Sequence, residues 1–125
     1  MRATLFLAVS LLGASLAHAE QPSAALQVEL QTAMLTYTES LLVDGGYTYI
    51  DAKTDSLKTI YPANVHPFVL PLGKDFVVCS EMVDEAGNSI TADYVVRSIG
   101  GEYRVVQMLV NDRESLQGAM SKLGE

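Results

Sequence analysis

Between Ser23 and Val43 apolar residues return every three or four positions, at Leu26, Leu30, Ala33, Met34, Tyr37 and Leu41. That spacing lines one side of a helix and predicts a helix over residues 23–43. Ser23, just after Pro22, serves as its N-cap, and Gly45-Gly46 after Asp44 stops it. A second, narrower line, Val28, Leu35 and Leu42, repeats every seven residues and falls nearly opposite the first. A helix apolar on two sides is enclosed in its own fold or meets a partner. These three residues are therefore the expected interface of a homodimer, since two-fold pairing needs only one self-complementary patch. The alternative is that a C-terminal helix or the proline-rich segment covers this line within one chain.

Beyond the glycines the pattern changes to that of strands. Tyr47–Asp51 and Leu57–Tyr61 are short runs rich in Tyr, Ile and Thr around a polar turn, and they read as a hairpin. Residues 62–71 carry Pro62, Pro67 and Pro71. Proline lacks the N–H a ladder needs, so this stretch is expected to be an irregular crossover. Phe76–Asp84, Ile90–Ile99 and Tyr103–Asn111 then form a three-strand meander, with turns at Glu85–Asn88 and Gly100-Gly101. Alternation sends Tyr103, Val105 and Leu109 to one face and Val106, Met108 and Val110 to the other. Both faces of such a sheet need cover. Asp112 caps a terminal helix over 113–123 that turns Leu116, Met120 and Leu123 inward.

The expected fold is α+β: a long N-terminal helix, a five-stranded antiparallel sheet made of hairpin, crossover and meander, and a C-terminal helix. A crossover between two and three strands suits a profilin/PAS-like arrangement. The competing arrangement is cystatin- or NTF2-like, in which a curved antiparallel sheet wraps one long helix. Gly46-Tyr47-Thr48-Tyr49-Ile50-Asp51, followed by Leu57-Lys58-Thr59-Ile60-Tyr61-Pro62, resembles the start of bacterial extracytoplasmic sensor domains of the Cache type. Those also set a long helix before a G-Y-x-[YF]-[VI]-x-D strand, and the resemblance implies a PAS-like fold and a sensory role. The chain as a whole is similar to small exported bacterial proteins of unknown function, a likeness that implies no activity.

Residues 1–19 read as a secretory signal peptide, with Arg2, an apolar core from Leu5 to Leu12 and Ala17-His18-Ala19 at the cleavage site. The mature chain is then a single domain, residues 20–125, in the periplasm or secreted. No later apolar run reaches the ~20 residues a spanning helix needs. Fifteen Asp and Glu stand against eight Lys and Arg, a net charge of −7, and losing Arg2 makes the balance one unit more acidic. Nucleic acid and anionic membrane surfaces are disfavoured as partners. The single cysteine, Cys79, allows no intramolecular disulfide.

Candidate chemistry is sparse. His66 is the one histidine after residue 19, so a multi-histidine metal site is ruled out, and no G-x-S-x-G accompanies it. Cys79 sits mid-strand with no basic residue near it in sequence and reads as a buried, inert thiol. Asp51 and Asp55 do not match a calcium loop. No metal, cofactor or enzymatic activity is expected. Tyr47, Tyr49, Tyr61 and His66 form the most suggestive group: an amphipathic wall for a small ligand, or ordinary cross-strand packing. The function expected is a non-enzymatic binding or interaction module for a small ligand or partner. The alternative is a cystatin- or NTF2-like inhibitor or accessory protein acting by protein–protein contact.

Overall fold

In the computed structural model, which describes residues 21–124, the first helix, α1 (Ala24–Leu41), begins where Ser23 Oγ accepts the Leu26 N–H at 3.2 Å. Five strands follow, β1 (Tyr47–Asp51), β2 (Ser56–Leu72), β3 (Asp75–Asp84), β4 (Ser89–Ile99) and β5 (Glu102–Val110), and then α2 (Arg113–Leu123). All four pairings are antiparallel and the spatial order is β1-β2-β3-β4-β5. The chain is thus α+β, with the helices and the strand count expected. Among the described residues no helix is long and apolar enough to cross a membrane. The signal-peptide reading falls on residues 1–19, outside the described ones.

The crossover expected at Pro62–Pro71 is a strand instead. β2 runs unbroken through the prolines and pairs with β3 from Ile60 to Leu72, with register shifts between Pro62 and Asn64 and between Val65 and Val69. The reason lies in the other neighbour. β1 pairs only with Ser56–Ile60, so beyond Ile60 one side of β2 is a sheet edge. A proline there needs no second partner, and the two bulges absorb the rest.

The two faces are covered by different helices. Leu30 and Met34 of α1 are fully buried against Ile60, Val69, Val78, Met82, Tyr94 and Val96. Leu116 of α2 packs on the opposite face with Val77 and Val95, flanked by Leu70, Leu109 and Met120. The alternation expected in β5 fails at one residue. Val95 pairs with Gln107 but Val96 with Val105, which leaves Val106 as a bulge. Beyond it the faces exchange, so Met108 and Val110 join Tyr103 and Val105 under α1, and Leu109 turns to α2. The Gly100-Gly101 turn has positive φ at both residues, 60° and 84°, the backbone a two-residue hairpin requires.

One polar cluster lies within the α1 layer. Thr38 donates to the Met34 carbonyl, and its hydroxyl is 2.9 Å from that of Tyr94, which is 3.3 Å from Ser80 Oγ. These buried hydroxyls satisfy one another, which offsets the cost of leaving water.

Candidate functional site

α1 packs over the sheet against β3, β4 and β5. A groove of about 800 Å3 separates its outer flank from the first half of β5. Val28, Thr32, Thr36 and Ser40 recur every fourth residue and so line one wall. Tyr103 and Val105 form the other, with Tyr37 below. Both tyrosines are held by edge-on aromatic contacts, Tyr37 to Tyr94 at 6.2 Å between centroids and Tyr103 to Phe76 at 6.4 Å. These contacts fix the floor. The rim is charged. Arg104 pairs with Glu102 at 3.1 Å, both well exposed, while Glu29 has no ion-pair partner among the described residues. Among the described residues β5 pairs only with β4, so its outer backbone groups face this groove without a strand partner there.

The predicted wall of Tyr47, Tyr49, Tyr61 and His66 is not brought together. Tyr47 and Tyr49 share the α1 side of β1 and stack at 5.6 Å between centroids. Burial raises both phenols above the ordinary tyrosine pKa, and Asp51 adds to the shift at Tyr49. Tyr61 follows buried Ile60 in β2, so alternation turns it to the other face, over Gly46. A Cβ at Gly46 would lie 2.9 Å from its ring. His66 is on the α2 side as well, further along the strand. Of the predicted interface residues, Val28 is 62% and Leu35 47% exposed, and Leu42 is half-buried. Leu35 borders a small cavity shared with Pro62–Val65 of β2, which leaves it only partly covered. Val28 instead opens onto the groove.

His66 contributes to a second site, which sequence separation conceals. The bulged stretch of β2 sets its Nδ1 3.2 Å from Cys79 Sγ. Cys79 is 7% exposed and free, as expected of a buried thiol, but it is not without basic neighbours. Asp93 lies directly across from it on β4 and binds Arg113, the first residue of α2, through two hydrogen bonds of 3.0 and 2.7 Å. Burial pushes the Cys79 thiol up, the Asp93 carboxylate adds to this, and Arg113 opposes it. The Asp93 contact raises the Arg113 guanidinium in turn. His66 Nε2 faces Glu81 at 3.8 Å, and Glu81 also accepts from Ser89. A cavity of about 400 Å3 opens beside the sulfur, bounded by Phe68, Leu70 and Thr91. Among the described residues no three His, Cys, Asp or Glu side chains are placed to hold a metal ion.

No known family model, curated protein or solved structure matches the chain.

Proposed function

We propose that the chain is an exported, non-enzymatic binding module that takes an extended, basic peptide segment into the groove between α1 and β5. The observation that carries this reading is the coincidence of a groove of about 800 Å3 with a free sheet edge. That volume falls within the range of ligand sites. Backbone groups along a sheet edge recognise an extended chain by adding a strand, while pockets beside them select side chains. The aromatic floor offers apolar contact, and the hydroxyls of Thr32, Thr36 and Ser40 accept or donate without a fixed charge. The sign of the partner follows from charge. Glu102 and Arg104 offset each other, Glu29 is left over, and the whole chain carries −7. This field draws cations.

A random peptide display selection tests the reading. Peptides recovered on the wild-type protein are expected to be rich in Lys and Arg and to lose at least about tenfold in affinity on Thr36→Arg, a change equivalent to ~1.4 kcal/mol. Thr36 is an exposed helix position, so arginine there fills the groove without disturbing the core. Enrichment that is indifferent to Thr36→Arg would exclude the groove.

A second reading has its own observation. Val28 and Leu35 leave an apolar line open on α1, and a second copy of the chain would cover it. Sedimentation of wild type against Leu35→Glu separates the two. A wild-type dimer that becomes a folded monomer supports self-association, and a wild-type monomer excludes it.

A further inference from the structure

The peptide groove makes no use of the cluster on the opposite face of the sheet, where a thiol, an imidazole and a guanidinium meet at a cavity. We propose that Cys79 and His66 form a thiol–disulfide exchange site that takes up small disulfides without net negative charge as a mixed disulfide.

The geometry supplies each part of that reaction. A nucleophilic thiol needs a proton acceptor within hydrogen-bond reach, and His66 Nδ1 is 3.2 Å from Sγ. The Glu81 carboxylate on the far side of the ring favours the tautomer with its proton on Nε2, which leaves Nδ1 to accept. In the exchange, the Sγ–H proton passes to Nδ1 and the sulfur attacks one sulfur of the incoming disulfide. A new S–S bond forms at Cys79 as the old one breaks. The departing thiolate takes the proton from His66 and leaves as a free thiol, so the incoming disulfide is the only oxidant. Burial and the Asp93 carboxylate raise the resting thiol above its ordinary value, and Arg113, held by Asp93 through Nε and Nη2, opposes that shift.

Size and charge set the class of disulfide. Cys79 borders a cavity of about 400 Å3 and is 7% exposed, so a small disulfide reaches it more readily than one held within a folded protein. Asp93 and Glu81 outweigh Arg113 locally, and the chain is acidic overall. Cationic cystamine and zwitterionic cystine therefore fit better than oxidised glutathione, which is dianionic.

Intact mass spectrometry of the purified native protein with each of the three reagents at equal concentration tests this. Wild type is expected to gain one half-disulfide, removed by reductant, fastest with cystamine and slowest with oxidised glutathione. His66→Gln, with folding verified by circular dichroism, is expected to slow the reaction at least about tenfold. An adduct only after denaturation, oxidised glutathione reacting fastest, or an unchanged rate in folded His66→Gln would each overturn the proposal. The first two comparisons use wild type alone, so they stand even if the variant does not fold.

Discussion

Arg113→Met is expected to destabilise this fold strongly. Arg113 stands at the first position of α2, where the helix dipole disfavours a positive charge by about 0.3–1 kcal/mol. Its place is explained by Asp93, which is 1% exposed and bound to it through two charge-assisted hydrogen bonds. Methionine keeps much of the side-chain length and removes the guanidinium, leaving a buried carboxylate alone. Breaking a fully buried pair from one side costs about 3–5 kcal/mol, and because the Arg113 side chain is itself 42% exposed the lower end applies. A domain of this size has roughly 5–15 kcal/mol in total. The midpoint of thermal unfolding is then expected to fall by at least about 12 °C, at ~4 °C or more per kcal/mol.

The structure contains its own control. Arg97 binds Asp75 with nearly the same two-pronged geometry, 3.0 and 2.8 Å, but Asp75 is 15% exposed and Arg97 more than half exposed. Arg97→Met is expected to cost far less than Arg113→Met, because solvent screens an exposed pair. Urea unfolding followed by circular dichroism gives both values. The double variant Asp93→Asn/Arg113→Met should be more stable than Arg113→Met alone, because the stranded charge is gone. If the two single arginine variants agree within about 0.5 kcal/mol, burial does not set the cost.

Tyr94→Phe strands the buried Ser80 hydroxyl and removes one partner of Thr38, so urea unfolding should show a loss of about 1–2 kcal/mol. Four aspartates are held below the ordinary carboxylate value: Asp51 by Lys58, Asp75 by Arg97, Asp84 by the Asn88 N–H and Asp112 by Ser115. Their folded pKa values lie below the unfolded one, so their stabilisation is complete above the unfolded value near ~3.9 and is lost as pH falls through the lower folded values. The urea midpoint should therefore drop on acidification below about pH 4, and a midpoint that rises there contradicts the assignment. Intact mass of the secreted form should place the mature N-terminus at Glu20, whereas a form retaining residues 1–19 would remove the export reading.

What the sequence disclosed was local. Ser23 and Gly45-Gly46 bound α1, Asp112 starts α2, and β-prone runs between turn residues mark β3 to β5 to within a residue or so. Each of these signals lies within a few residues of what it controls. What stayed hidden depends on distant partners. Proline is read as a strand breaker, yet whether a ladder needs its N–H depends on how far β1 extends, which the prolines do not encode. The Val106 bulge reverses the expected faces of β5 because a one-residue slip exchanges every side chain beyond it. His66, Cys79, Asp93 and Arg113 come from three strands and a helix, and only the packed sheet makes them neighbours. For the groove there was a partial signal, the Val28 side of α1, but the side chains that shape its opposite wall follow a turn some seventy residues later.

Amide hydrogen exchange in the presence of a selected basic peptide addresses the central claim, that β5 is a recognition edge. Strand addition requires new hydrogen bonds to the outer backbone of β5, so exchange should slow between Glu102 and Val105, with little change along β1, the opposite edge of the sheet. Slowing confined to β1, or none at β5 at saturating peptide, would show that the groove between α1 and β5 is not the binding site.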